Sequence, residues 1–275
     1  MADKRITPAR PDLAAAHLKG KVEAARFVEG EKYSIGLGRM PLFAKSTYPS
    51  EQQSELLHGE VFTVYERGAG WAWGQAKSDG YVGYIIGGML RDPLVPDTRV
   101  IALMAPVYGA PDIKAPAHDW LPLNAVIQSD GEGKDFVKIA PHAFVHYRHL
   151  APLSERAADF VSVAERFLGA PYVWGGKTVA GLDCSGLIQT SLAAAGIAAP
   201  RDTDMMEKAL GLAVNRDDIT RGDLVFWKGH MGVMLDETSL LHANAFHMEV
   251  FVEDLDQAVA RIEKSAGPVT SIKRL

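Results

Sequence analysis

Cysteine is nearly absent. The 275-residue chain holds one, Cys184, which excludes an intramolecular disulfide framework and any site built on two thiolates. Long apolar runs are missing as well, since no window approaches the roughly 18 consecutive apolar residues of a membrane helix. Positive charge is not in excess: 29 Lys and Arg face 34 Asp and Glu, a net charge of −5. The basic residues are scattered and form no stripe for a phosphate backbone, so nucleic acid drops out as a partner class. What remains, 47% hydrophobic and 23% charged, is the composition of a folded globular protein. The first 20 residues are charged, are broken by Pro8 and Pro11, and lack the apolar core of a secretory signal. Together with the lone thiol, this leads us to expect a cytoplasmic protein without membrane contact.

Short apolar runs separated by Gly and Pro fill the first half. Met40–Phe43, Val61–Tyr65, Trp71–Trp73 and Tyr81–Ile86 read as strands, with turns at Arg67-Gly68-Ala69-Gly70 and Ser78-Asp79-Gly80. A weaker set follows at Val100–Met104, Val107–Gly109, Ala125–Ile127, Phe136–Ile139 and Phe144–Tyr147, with a turn at Ser129-Asp130-Gly131-Glu132-Gly133. Two small β-barrels, over 31–90 and 91–150, are the simplest account. Residues 1–30 read as a polar arm with one short helix over Leu13–Phe27.

After Pro152 the period changes. Phe160, Val161, Ala164, Phe167 and Leu168 trace a helical face, with Ser154 as its expected N-cap and Gly169 and Pro171 as its stop. A second helix is expected over Cys184–Ala195, ended by Gly196. Strands follow at Leu224–Trp227, Met231–Leu235, Leu240–Ala245 and Met248–Val252. Helices first and antiparallel strands afterwards describe an α+β domain over 151–275.

Cys184 falls at the first turn of its helix, where the dipole lowers a thiol pKa. Small polar neighbours, Asp183, Ser185 and Gly186, suggest an exposed position. A nucleophilic thiol needs a base and the base an orienting group. His230 and His242 lie in successive strands and share a face only if paired residue numbers sum to an even value. That requires an odd-length loop or a bulge near Asp236–Ser239, and makes the two rings diagonal neighbours. Cys184, His230 and His242 also form a legitimate three-ligand zinc set, although a metal hydrolase more often recruits a carboxylate and a short His-x-His or His-x3-His pair. His142, His146 and His149 read as structural or surface residues of one strand, with His146 and His149 on opposite faces.

The segment Gly169-Ala170-Pro171-Tyr172-Val173-Trp174-Gly175-Gly176, then Asp183-Cys184-Ser185-Gly186-Leu187, resembles the opening of the NlpC/P60 cysteine peptidases. Gly222–Trp227, Gly229–Val233 and Leu241-His242-Ala243 continue the resemblance in the family's order. It implies a papain-like α+β fold with Cys184 as nucleophile, His230 as base, His242 as orienting residue and Tyr172 beside the oxyanion, and no metal or cofactor. The N-terminal part is similar to bacterial SH3-type modules, through Glu55–Glu60, Gly70-Trp71 and Asp79–Tyr84. Such modules before this domain resemble those of γ-D-glutamyl-L-diamino acid endopeptidases acting on murein peptides. The resemblance implies an ammonium pocket for an N-terminal L-Ala at Asp183, Ser185 and Asp202, with Glu55 and Tyr81 from the first module. Carboxylates around a small cavity would select such a cation. Met205-Met206 stands where relatives often carry Gln.

The resemblance implies a peptidase acting on murein peptides, and the lack of a secretory signal pattern leads us to expect that it recycles them. Two other readings use the same residues: a thioester-forming acyltransferase or transamidase, and a murein-peptide-binding protein without catalysis.

Overall fold

A computed structural model describes residues 3–130, 133 and 135–275 of the protein. The chain divides into two units, Met1–Glu155 and Arg156–Leu275. Gly131 and Glu132 of the turn expected at 129–133 lie outside the described residues.

In the N-terminal unit, a seven-stranded antiparallel sheet runs from Glu31–Ile35 to Leu90–Arg91. Period-two patterning builds it. Phe62 and Val64 turn inward along Val61–Gly68, as do Met40 and Leu42 along Arg39–Phe43. With Ile35, Leu56 and Ile85 they close one apolar core. The strand Gln52–Leu57 lies outside the sequence expectation because its first half is polar; it pairs with Arg39–Phe43. A second assembly packs a three-stranded and a four-stranded sheet around Val100, Val107, Leu121, Ile127 and Val145. Its strand Leu150–Pro152 pairs with Thr98–Val100 and carries this unit past residue 150. His142, His146 and His149 do not share one strand. His146 ends the strand Ala143–His146, and His149 sits in the 3-10 turn Tyr147–His149.

The arm is not a helix. Ala14–Ala15 pairs in parallel with Phe27–Val28, and only a 3-10 turn, Ala16–Leu18, lies between them. Leu13, Ala14 and Ala15 are buried in succession, which a helix with a single apolar stripe does not do. Leu13 packs on Trp73 and Val82 of the first module, and the Arg10 guanidinium lies 4.4 Å from the centre of the Trp73 ring. Tertiary packing outweighs the weak helical pattern.

The C-terminal unit combines four α-helices with a six-stranded antiparallel sheet. The helices are α1 (Phe160–Glu165), α2 (Cys184–Ala194), α3 (Thr203–Ala209) and α4 (Leu255–Ala266). The strands are β1 (Leu212–Ala213), β2 (Leu224–Trp227), β3 (His230–Met234), β4 (Ser239–Asn244), β5 (Glu249–Asp254) and β6 (Ser271–Arg274), in the order β1-β6-β2-β3-β4-β5. Asp159, not Ser154, caps α1, accepting from the Val161 N–H at 2.9 Å. The helix ends at Glu165, so Phe167 is buried outside it while Leu168 is exposed. All of β2 is buried, as expected of a central strand covered on both faces. Val225 and Trp227 pack with Leu255, Ala258 and Ile262 of α4. Along α2 every residue except Ala193 is buried, so this helix runs through the domain rather than over it. No helix among the described residues is long and apolar enough to cross a membrane.

Candidate active site

Asp183 fixes where α2 begins. Its Oδ1 accepts the Gly186 N–H at 2.7 Å as N-cap, while Oδ2 accepts the Gly175 N–H at 2.8 Å. Arg201, 1% exposed, grips both oxygens at 2.9 and 2.6 Å and also donates to Ser185 Oγ at 2.9 Å. The first turn of α2 and the Gly175-Gly176 loop are thereby locked to each other. Gly186 is obligatory in this contact, since a Cβ there would stand 2.1 Å from the Gly176 carbonyl oxygen.

Cys184 is buried, not exposed. Its small neighbours let α3 and β3 approach the sulfur, so smallness produces contact here. Thr203 Oγ1 lies 3.8 Å from Sγ, and the backbone N–H groups of Met231 and Ser185 point to it. Burial, with the Asp183 charge adding to it, pushes the thiol up to about 11. A helix N-terminus contributes about 0.3–1 kcal/mol in favour of the thiolate, up to about 2 in buried geometries. Holding the thiol at about 11, above its ordinary value, corresponds to about 3 kcal/mol the other way. Desolvation wins, and the depressed thiol expected from the sequence is corrected.

The two histidines meet as the register arithmetic requires. Val233 pairs with Leu241 and Met234 with Leu240, an even sum set by the odd number of residues, 235–239, between the last pair. His230 and His242 are diagonal neighbours, and His230 Nε2 lies 2.8 Å from His242 Nδ1. Met231, whose N–H reaches the sulfur, directly follows His230 and so sets the thiol beside this pair. Burial, followed by His242, pushes His230 down to about 3, and burial lowers His242 as well. At neutral pH thiol and imidazoles are all uncharged.

Sequence reasoning missed what lies behind His242. Glu253 Oε1 is 2.7 Å from His242 Nε2, and Arg261 of α4 bonds to the same oxygen. Burial raises the Glu253 carboxyl, but the His242 hydrogen bond and the Arg261 charge outweigh it and hold it below the ordinary range. The available signal was parity: on β5, His242 pairs with Phe251, which puts Glu253 on the same face.

Tyr172 is half-buried at the bridge to Leu182. Burial, with Cys184 and Asp183 nearby, raises its phenol, so it stays a neutral donor beside the thiol. Asp202 and Thr203 open α3, with Asp202 half-buried. The Asp183 carboxylate accepts from Arg201, from the Ser185 hydroxyl at 3.3 Å and from two backbone N–H groups. Met206 is fully buried in the core. Glu55 and Tyr81 belong to the N-terminal unit, where Glu55 pairs with Arg39 at 2.6 Å and Tyr81 joins the apolar core.

His242, His247 and Glu253 gather possible ligand atoms within 4.8 Å. All are already bonded, His247 Nδ1 to Asn244 Oδ1 at 3.1 Å, and Arg261 places a cation on the same carboxylate. Among the described residues Cys184 joins no such group, so the alternative three-ligand zinc set does not assemble.

A single thiol at a helix start, beside a histidine pair on an antiparallel sheet, defines a papain-like thiol hydrolase domain. Residues 169–263 match the NlpC/P60 family, and residues 42–86 match the bacterial dipeptidyl-peptidase SH3 domain. The chain carries an NlpC/P60 cysteine peptidase domain behind a bacterial SH3 domain. Dipeptidyl-peptidase 6 of Lysinibacillus sphaericus is 25% identical over 78% of this chain and 77% of its own length. The gamma-D-glutamyl-L-lysine dipeptidyl-peptidase of Bacillus subtilis is 36% identical over 36% of this chain and 37% of its own. An NlpC/P60 family protein from Bacillus cereus shares the fold, with a TM-score of 0.75 at 19% identity over 89% of this chain and 99% of that one.

Proposed function

We propose that the protein is a cysteine endopeptidase that cleaves the γ-D-glutamyl bond to the diamino acid in peptidoglycan stem peptides. Its substrates are free murein peptides with an N-terminal L-Ala, and its setting is cytoplasmic recycling. The observation that carries this reading is the His230–His242 contact at 2.8 Å beside Cys184, in a domain similar to that of gamma-D-glutamyl-L-lysine dipeptidyl-peptidases.

His230 removes the thiol proton as Sγ attacks the γ-carbonyl, because the resting pair is neutral. The oxyanion forms beside the Tyr172 hydroxyl and the N–H groups that open α2. His230 returns the proton to the departing amine, leaving a thioester. Water, deprotonated by His230, then releases L-Ala-D-Glu and restores the thiol. Asp183 and Ser185 at the start of α2 and Asp202 at the start of α3 are the ammonium-side residues of this reading.

The test incubates the protein with L-Ala-γ-D-Glu-diaminopimelate and follows products by mass spectrometry. L-Ala-D-Glu is released by the wild type, not by Cys184→Ala, and not from the N-acetylated peptide. Cleavage indifferent to acetylation discards the ammonium pocket. A product that depends on an added amine acceptor shows a transferase, and no turnover shows a binding protein. Cell fractionation checks the compartment.

A further inference from the structure

Between His242 and solvent stands a carboxylate that the triad does not include. Glu253 Oε1 takes the His242 Nε2 contact at 2.7 Å and the Arg261 guanidinium together. We propose that Glu253, bridged to Arg261, is a positioning residue that fixes the tautomers of both histidines and thereby makes His230 a base. The proposal rests on the reading of Cys184 as nucleophile and His230 as its base.

Proton positions are fixed in turn along the contacts that run from Arg261 through Glu253 and His242 to His230. A carboxylate paired with a guanidinium only accepts hydrogen bonds, so His242 Nε2 carries the proton of that contact. Burial keeps His242 neutral, and its Nδ1 is then bare. The 2.8 Å contact to His230 Nε2 now has one solution: His230 Nε2 carries the proton and donates. The lone pair of His230 is left on Nδ1, the only nitrogen not occupied by His242. Reversing one tautomer reverses the rest. A His242 protonated on Nδ1 would donate to His230 Nε2, place the His230 proton on Nδ1 and abolish the base.

The same arrangement serves the charged intermediate. When His230 holds the thiol proton, its Nε2–H still donates to His242 Nδ1, and the Glu253 charge lies one ring away. No proton passes to Glu253, which Arg261 keeps as an anion. The charged and titratable groups around His242 are His230 on β3, Glu253 on β5, Arg261 on α4 and His247 in the turn before β5. Of these, only Glu253 bonds to Nε2.

Nitrogen-15 histidine labelling reads the tautomers directly through long-range proton–nitrogen correlations at neutral pH. The wild type is expected to show Nε2–H on both His230 and His242. Glu253→Leu removes the acceptor while keeping bulk; Nδ1–H forms then appear, and kcat on L-Ala-γ-D-Glu-diaminopimelate falls about 10–100-fold with KM unchanged. Glu253→Gln recovers most of that loss, because its amide oxygen can accept from both His242 and Arg261. An Nδ1–H tautomer on either histidine of the wild type overturns the proposal, even if Glu253→Leu does not fold. So does a Glu253→Leu enzyme with wild-type kcat, or a Glu253→Gln enzyme impaired as deeply as Glu253→Leu. A wild type that shows the expected tautomers but does not cleave the tripeptide sinks the substrate reading and leaves Glu253 in its role.

Discussion

Arg201 and Asp183 are the residues on which the shape of the thiol site depends, and they act as one. Arg201 is fully enclosed, with side-chain exposures of 1% for it and 9% for Asp183. A buried pair adds little over an apolar one, but breaking it strands a charge at a cost of about 3–5 kcal/mol. Arg201→Leu is therefore expected to destabilise the protein by about that amount in urea unfolding, and Asp183→Asn in the same chain to recover part of it. If Arg201→Leu is neutral, the pair does not hold the start of α2. At this scale the sequence was informative where chemistry is local: Cys184, His230 and His242 stand in motifs whose spacing names them. It was silent on Arg201 and Glu253, whose roles come from contacts 18 and 11 residues away. It was misleading on exposure, because small residues around a thiol mark close packing as readily as open solvent.

Strand register decides whether the two imidazoles meet, and Gly232 protects that register. It faces His242 across the β3–β4 ladder, where a Cβ would stand 3.0 Å from His242 Cβ and 2.8 Å from Leu240 Cδ1. Both neighbours are fully buried and have nowhere to retreat. Gly232→Ala is expected to cost about 1–3 kcal/mol in stability. It also displaces the His230–His242 contact, lowering kcat by about 10–100-fold with little change in KM. A folded Gly232→Ala enzyme of normal kcat would show that the ladder has slack. The strands β2 to β5 were legible because each is a run of apolar residues between turns. The helix α4 was not, although Leu255, Ala258, Val259 and Ile262 have helical spacing. It follows β5 directly, capped by the last residue of that strand, Asp254, with no Gly or Pro to mark the change. Ala117–Pro122 escaped for the opposite reason: its first half is polar and exposed, and only Leu121 and Pro122 turn inward.

Across the whole chain, the buried histidines and the buried thiol bracket the pH range in which the protein is most stable. His230 and His242 in the C-terminal unit and His58 in the N-terminal unit are all lowered, with burial the largest cause in each. A group lowered on folding binds more protons unfolded, so the stability it confers is complete above about 6.5 and drains away as pH falls. For His230 the drain continues to about 3. Asp159, lowered to about 2, and Asp223 act in the same direction further down. Cys184 has the opposite sign. Raised to about 11, it favours the folded state below its ordinary value and loses that contribution as pH climbs toward 11. The melting temperature is thus expected to be flat between about pH 6.5 and 8.5 and to fall by several degrees at pH 5. Cys184→Ser removes the alkaline decline of the thiol and leaves the acid side unchanged. Scanning calorimetry across this range decides the matter. A protein as stable at pH 5 as at pH 7.5 would mean that its buried imidazoles are charged in the folded state, and a charged His242 could not accept the hydrogen bond from His230 Nε2–H on which the thiol chemistry turns.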